Sequence, residues 1–238
     1  MRAVIDLVLL AIIIISIWSG YKKGLIMGIA ALLAAIISLY GASLVSQAYS
    51  YEVVPVLRPF VSGYIQNRME NEVLEDLGID DTSLSVEDVL SGDPSLRHDF
   101  CAACYASTGI YADAADQMAT EAEEYAAANG ATIQESVVEV FCIRAAYVAG
   151  VALVFIVFLI ALTALGNIPN LSFKIPNMDT LNDAGGAVMG LVNGMVYCIL
   201  LCWALRFLGL VIGRDTLENT ILAKFFISID FITSGVGI

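Results

Sequence analysis

Cysteine, histidine and aspartate are the side chains in this chain that could bind a metal ion or react. Cys101 and Cys104 form the motif CAAC, and His98 lies just upstream. A structural zinc site normally needs four ligands, and the only further candidates are Asp99 and the distant Cys142. We therefore interpret the two cysteines as small core residues of a helix, with a disulfide or a metal site as the alternative.

The sequence contains no recognisable set of catalytic residues. The chain contains one histidine, and it has neither a phosphate-binding loop with lysine nor an HExxH motif. The remaining possibility is a pair of catalytic carboxylates, as in an intramembrane protease. Asp6, Asp179 and Asp183 all lie near the ends of predicted helices, which argues against such a pair. We expect no enzyme activity, no cofactor and no metal site.

The elements that carry these residues are long apolar segments. Hydrophobic residues make up 59% of the 238 residues, and charged residues only 15%, whereas soluble domains are nearer half apolar. A spanning helix needs roughly 17–25 apolar residues. Four segments lack charged residues over about this length, namely Leu7 to Tyr21, Gly24 to Tyr51, Ala145 to Phe173 and Ala184 to Leu205. The sequence therefore predicts an all-α polytopic membrane protein with four transmembrane helices.

Lys22 and Lys23 separate the first two apolar segments. Both side chains need water, and Gly20 and Gly24 supply the backbone freedom for a tight reversal. We predict a transmembrane hairpin that turns at the two lysines. A cleaved signal peptide is the rival, and it is disfavoured because no small-x-small site follows Trp18 and a second spanning segment starts at once.

Negative charge is concentrated in one part of the chain. The segment from Gln47 to Ser136 contains 17 acidic and three basic residues, which disfavours nucleic-acid binding because phosphate contact needs a basic face. We expect an acidic helical insert between helices two and three. The predicted domains are a first hairpin at 1–50, this insert at 51–134, a second hairpin at 135–212 and a C-terminal amphipathic surface segment at 213–238.

Helix ends can be predicted from local signals. Pro55 and Pro59 are expected to interrupt the chain after the second span. Asn129-Gly130 should end a helix of the insert, and the motif TIQE, from Thr132 to Glu135, should open the third long helix as a capping box. Two further signals lie inside the insert, a stop at Gly78 and a capping box from Ser85 to Asp88.

Small residues recur at helical spacing in two of the spans. One set, on the second helix, steps by three or four residues, and the other, on the fourth helix, steps by four. In lipid, close backbone approach holds helices together, so we predict tight packing against a neighbouring helix in the same chain or in a second copy. The sets are Gly24, Gly28, Ala31, Ala35, Ser38 and Ala42, and Gly186, Gly190, Gly194, Cys198 and Cys202.

Both small-residue sets together resemble the colicin V production protein (CvpA) family of bacterial inner-membrane proteins. The similar segments are GYKKGLIMG, with Asp6 upstream, and LNDAGGAVMGLVNG. The resemblance covers about 1–50 and 135–212, and 51–130 resembles no named family. It departs at Asn193, where the family often carries Lys or Arg. The resemblance implies a four-span protein tied to production or export of a peptide toxin and to envelope upkeep, with no chemical activity.

Partners and orientation follow from the same features. We expect contact with the lipid bilayer, and a homo-oligomer or an assembly with other membrane proteins. The alternative is a small transporter or channel subunit whose small-residue faces line or gate a path. The turn at Lys22 and Lys23 is predicted to be cytoplasmic by the positive-inside rule, with both termini and the insert outside. Asp6 and Arg206 are predicted to lie at the same side of the membrane and to form a charge pair.

Overall fold

The structure, a computed structural model, describes residues 2–69, 73, 86–87, 90, 94–167, 179–207 and 220–229. The described residues fold into helices, and the all-α class predicted from sequence is confirmed for them. Six helices can be followed there: α1 (Arg2–Arg68), α2 (Leu96–Ser107), α3 (Ala112–Asn129), α4 (Ile133–Asn167), α5 (Asp179–Phe207) and α6 (Ile221–Ser228). The stop at Gly78 and the capping box from Ser85 to Asp88 are not tested, because Gly78, Ser85 and Asp88 lie outside the described residues.

Three of the described helices are long and apolar enough to cross a membrane. They are Ala3–Arg68, Ile133–Gly166 and Asp179–Phe207. At 1.5 Å per residue, each is at least as long as the roughly 30 Å hydrocarbon core of a bilayer. The described parts of the apolar segments predicted from sequence therefore fall inside long helices, the third segment up to Asn167.

α1 is broken at Gly24. Its backbone there has φ 81° and ψ 174°, a left-handed conformation that suits glycine. A Cβ added at Gly20 would lie 2.7 Å from the Cα of Gly190, and one added at Gly28 would lie 2.6 Å from the Cβ of Met189. Residues four positions before and after Gly24 thus flank the same turn of α5, so the chain turns back at Gly24.

The expected interruption at Pro55 and Pro59 is wrong, because α1 continues through both to Arg68. The two prolines are four residues apart and both are exposed. The carbonyl groups that lose their helical hydrogen bonds therefore lie on an outward side of the helix. On the other side, Val54 and Ile65 are only 2% and 1% exposed, and their burial holds the helix in place despite the missing bonds.

Two predicted helix ends are confirmed. α3 ends at Asn129, and Gly130 follows with φ 64°, while its N–H donates to the carbonyl oxygen of Ala126. The capping box at the start of α4 is complete, since the N–H of Glu135 donates to Thr132 Oγ1 and the N–H of Thr132 donates to Glu135 Oε2, both at 3.2 Å. Local side chains thus determine where α4 begins.

The described chain divides into two compact units. Unit 1 comprises residues 1–46, 149–204 and 215–238, and unit 2 comprises 47–148 and 205–214. Unit 2 contains α2 and α3 and has its own core, in which Phe100, Tyr105 and Val137 are fully buried. The described residues of the segment predicted as an acidic insert at 51–134 all fall in unit 2.

Candidate functional site

The glycines of α5 pack directly on the first half of α1 within unit 1. A Cβ added at Gly186 would lie 2.8 Å from the Cα of Gly24, and one added at Gly190 would lie 3.0 Å from the Cα of Ile17. Real Cβ atoms essentially never come closer than 3.0 Å to such neighbours. We call this contact, formed by Gly20, Gly24, Gly186, Gly190 and Gly194 with their immediate neighbours, the glycine seam. At Gly20, Gly186 and Gly190 it brings two backbones so close together that a Cβ does not fit.

The small residues of the second half of α1 lie on its inner side. Gly28, Ala35, Ser38 and Ala42 are buried, whereas Ala31 is half-buried. Large apolar residues occupy the outer side, with Leu33, Ile36, Ile37 and Tyr40 more than half exposed. The small-residue set therefore coincides with the packed side of this helix segment.

α4 packs against the second half of α1 through a further close contact. A Cβ added at Gly150 would lie 2.9 Å from Ser46 Oγ, and one added at Gly41 would lie 2.6 Å from a ring carbon of Phe158. Small residues therefore set the spacing of this helix pair as well. For these glycines, the neighbouring helix belongs to the same chain.

Two buried asparagines of α5 bind the backbone of the hairpin turn. Asn182 Oδ1 accepts a hydrogen bond of 3.0 Å from the N–H of Leu25, the first residue after the break at Gly24. Asn193 Nδ2 donates to the carbonyl oxygen of Gly28 at 3.2 Å. Asn182 and Asn193 are only 3% and 5% exposed. Because a broken helix leaves N–H groups without intrahelical partners, Asn182 acts as the cap of the second half of α1.

The two turn lysines are exposed at the break. Lys22 Nζ lies 5.0 Å from the ring centroid of Trp18, which is itself 61% exposed. Such a contact between a cation and an aromatic face is worth about 0.5–1 kcal/mol at an exposed site. Aromatic and basic residues thus surround the turn, a combination typical of a membrane boundary.

Asp6 and Arg206 each have a partner of their own. The carboxylate of Asp6 accepts hydrogen bonds from the N–H groups of Ile221 and Leu222, at 3.4 and 3.0 Å, within unit 1. Arg206 forms an ion pair with Asp113 at 3.1 Å within unit 2. A direct pair between Asp6 and Arg206 stays a prediction.

Arg206 connects the end of α5 to the start of α3. Its guanidinium lies 5.7 Å from the ring centroid of Tyr111, and its carbonyl oxygen accepts the N–H of Tyr111 at 3.2 Å. Asp113, in the first turn of α3, supplies the negative charge. Three kinds of contact therefore converge on one arginine that is 12% exposed.

Two further arginine–carboxylate pairs lie among the described residues of unit 2. Arg58 Nη2 lies 2.6 Å from Glu139 Oε2. Arg144 binds Glu121 through two nitrogens, with Nε donating to Oε2 at 2.8 Å. This two-pronged geometry is the strong form of such a pair. These pairs tie α1 and α3 to α4.

Cys101 and Cys104 are unbridged core residues of unit 2. They are 0% and 1% exposed. Burial, with a smaller contribution from the nearby Glu123 carboxylate, raises the pKa of Cys101 to about 12, and burial raises that of Cys104 further. Within the described residues, no three histidine, cysteine or carboxylate side chains come together to hold a metal ion. His98 instead lies 3.4 Å from Thr120 Oγ1 and 3.8 Å from Asp116.

Sequence reasoning missed Asn182. A signal for it was present, because Asn182 lies four residues before Gly186 and continues the four-residue spacing by one step. Asn193 was noted only as a departure from a family pattern, and its hydrogen bond to Gly28 became visible in the structure. The hydrogen bond between Leu25 and Asn182 joins residues 157 positions apart, and the one between Leu222 and Asp6 joins residues more than 200 positions apart.

Comparison with known proteins gives one family. The family model described as colicin V production protein matches residues 102–230. The matched range begins in α2 and includes α3 to α6. It thus includes residues 102–130 and the C-terminal helix, where the sequence alone showed no resemblance, and it does not include the first hairpin. No curated protein and no solved structure matches the chain.

Proposed function

Because the chain belongs to the colicin V production protein family, we propose that it is a multi-pass protein of the bacterial cytoplasmic membrane that supports production or export of a colicin V-like peptide toxin and envelope homeostasis. The observation that carries this proposal is the family match over 102–230, together with three long apolar helices. The protein acts by assembly rather than by catalysis. Its partners are the bilayer and either further copies or other membrane proteins.

The membrane body has four spans in two hairpins. The break at Gly24 supports dividing α1 into two spans, and α4 and α5 are the others. The second span begins at Leu25, so 20 residues at 1.5 Å bring it across about 30 Å near residue 44. Tyr49 and Tyr51 are exposed just beyond this point, and Trp18 and Tyr21 are exposed beside the turn. Aromatic side chains at both boundaries fit this placement.

The Lys22–Lys23 turn is cytoplasmic, and both termini and the acidic insert at 51–134 face outward. Six basic residues near the span ends oppose this orientation by count, namely Arg2, Arg58, Arg144, Arg206, Arg214 and Lys224. Two adjacent lysines in a very short turn carry more weight. Labelling of introduced cysteines can test this orientation with little background, because all five native cysteines are buried and unbridged. Ala128→Cys, at the exposed end of α3, should react with a membrane-impermeant maleimide in intact spheroplasts.

The matched control is Lys23→Cys at the turn, which should react only after lysis. Reaction of Lys23→Cys in intact spheroplasts, with protection of Ala128→Cys, would reverse the orientation. Membrane integration is measured separately by resistance to extraction with alkaline carbonate. An extractable chain would contradict the whole membrane assignment.

The functional test is release of the toxin. Cells that produce a colicin V-like peptide should release less of it when this gene is deleted, and wild-type chain expressed from a plasmid should restore release. A folded variant with a disrupted seam, such as Gly190→Leu, should restore less than Leu33→Ile, whose side chain faces outward. Unchanged release after deletion would contradict the proposed role.

A transporter or channel subunit is the second candidate, and three buried polar atoms favour it. Ser38 Oγ, Ser46 Oγ and Asn193 Oδ1 have no hydrogen-bond partner among the described residues. Such groups inside a membrane often mark a path for water or a polar solute. Flux of ions or small solutes through proteoliposomes, reduced by Asn193→Leu, would favour this candidate. The glycine seam argues for packing, because its backbones leave no room for even a Cβ.

A further inference from the structure

α6 has two apolar faces of different exposure. Ala223, Phe226 and Ile227 are buried, at 0%, 3% and 8% exposure, within unit 1. Ile221 and Phe225 lie four residues apart on the outer side and are 82% and 52% exposed. The inner face holds α6 on the protein, so the outer pair must meet a different environment.

The outer face of α6 also carries a cation. Lys224 is exposed and is adjacent in sequence to Phe225. Ser228, one turn further on, is exposed as well. Two large apolar side chains beside a lysine are the composition of a helix that lies in the head-group region of a bilayer.

The start of α6 is capped by a residue from the other end of the chain. Thr220 precedes the helix but makes no capping hydrogen bond with its side chain. The carboxylate of Asp6 accepts the first two N–H groups instead, from Ile221 and Leu222. A carboxylate at this position also has a favourable interaction with the helix dipole. Asp6 thus replaces the missing local cap.

The cap fixes the start of α6 to Asp6. Asp6 directly precedes the charge-free segment from Leu7 to Tyr21, so a carboxylate there lies at the boundary of the hydrocarbon. Two hydrogen bonds to that carboxylate hold the first turn of α6 at the same level. At this level the outer apolar pair reaches acyl chains while Lys224 reaches lipid phosphates.

We infer that the outer face of α6 is a docking surface for the head-group region of anionic lipids, and that Asp6 positions it by capping the helix. This inference rests on the proposed membrane insertion of unit 1. The chemistry is a bilayer surface with phosphate groups for Lys224 and acyl chains for Ile221 and Phe225. Protein partners, including a second copy, are the alternatives that the experiment separates.

The experiment measures the surroundings of residue 225 in the full chain. Phe225→Cys is labelled with a small fluorophore on the background of buried native cysteines, and the protein is placed in nanodiscs of phosphatidylcholine with or without phosphatidylglycerol. Lipids brominated near the head-group end of their chains should quench the label, and aqueous iodide should quench it weakly. A label at Ala128→Cys, in unit 2, should show the reverse.

Asp6→Ala should release the helix. Loss of a helix cap shifts the balance between docked and undocked states by roughly two- to thirtyfold, so bromolipid quenching at residue 225 should fall and iodide quenching should rise by at least about twofold. Lys224→Gln should lower bromolipid quenching in discs with phosphatidylglycerol and change little in discs without it. Asp6→Asn keeps one acceptor oxygen and should give an intermediate result, which decides the point if Asp6→Ala does not accumulate.

Other outcomes overturn the inference. Unchanged quenching in the Asp6 variants would show that Asp6 does not position α6. Strong iodide quenching in the parent protein would place the face in water. Shielding from both iodide and bromolipid would show that a protein surface covers it. If carbonate extraction still finds the chain integrated, the first result removes the role of Asp6, each of the other two removes the docking surface, and all three leave the proposed function intact.

Discussion

Replacing Gly190 by alanine tests whether close backbone contact holds α5 on the first half of α1. The added Cβ would lie 3.0 Å from Ile17 Cα and from the carbonyl carbon of Ser16, and closer still to the carbonyl oxygen of Ser16. Ordinary contact for such a pair is 3.4–4 Å. All three atoms belong to the backbone, so no side-chain rotation can relieve the clash and the two helices must separate.

The expected cost follows from two opposing effects. Overpacking of a well-packed contact typically costs about 1–3 kcal/mol, whereas alanine in place of glycine in a helix gains about 0.5–1 kcal/mol. We therefore expect Gly190→Ala to lower the free energy of unfolding by roughly 1–2 kcal/mol. Loss of close packing matters in lipid because hydrophobicity contributes little to association there.

The structure supplies two matched controls with the same substitution. Gly63 lies in α1, and a Cβ added there meets nothing within 4 Å, so Gly63→Ala should raise the free energy of unfolding by about 0.5–1 kcal/mol. A Cβ added at Gly185 meets the side chain of Leu25, at 3.1 Å from a methyl group that can rotate away. Gly185→Ala should therefore fall between the other two variants.

The assay is reversible unfolding in mixed micelles with increasing dodecyl sulfate, followed by circular dichroism. A difference of about 2 kcal/mol between Gly190→Ala and Gly63→Ala corresponds to roughly 30-fold in the ratio of folded to unfolded chains. The reasoning is refuted if Gly190→Ala is as stable as Gly63→Ala, because the backbone contact would then contribute nothing to the packing of these helices.

Three further predictions use the same unfolding assay. Asn182→Leu should lower the free energy of unfolding by about 1–3 kcal/mol, because the N–H of Leu25 loses its acceptor in a partly buried site. A variant as stable as wild type would show that water replaces the amide. Thr132→Ala should cost about 1 kcal/mol through loss of the capping box of α4, whereas an unchanged midpoint would show that packing alone starts that helix. Burial raises the pKa of Cys101 from 9.0 to about 12, so the thiolate favours the unfolded chain and the free energy of unfolding should fall as pH rises from about 9 towards 12. Cys101→Ala should flatten this pH dependence. An equal pH dependence in the variant and the wild type would contradict the prediction.

Local sequence signals predicted the elements that depend on neighbouring residues. The capping box at Thr132 and Glu135 and the stop at Gly130 involve hydrogen bonds within four positions. The apolar runs likewise depend on contiguous residues, since transfer into lipid is a property of a segment. Each of these predictions could be made without knowing what the segment packs against.

The prediction at Pro55 and Pro59 was wrong because the outcome there depends on residues distant in the chain. A proline removes one helical hydrogen bond wherever it lies, and the local rule counts only this loss. The burial of Val54 and Ile65 in the core of unit 2 adds a gain that depends on residues far along the chain. Because the unpaired carbonyl groups lie on the exposed side, the gain exceeds the loss and α1 continues.

Capping explains why the polar residues near the membrane segments were the hardest to assign. Every helix start leaves N–H groups that need acceptors, and at α4 the chain supplies them locally through Thr132. At Leu25 and at α6 it does not, since the acceptors are Asn182 and Asp6 from distant helices. An acceptor that comes from another helix satisfies the N–H groups only when both helices are packed, so these two helix starts depend on tertiary structure. Asp6 therefore caps α6 as part of the fold, and its distance of more than 200 residues from Leu222 is the reason that no local pattern reveals it.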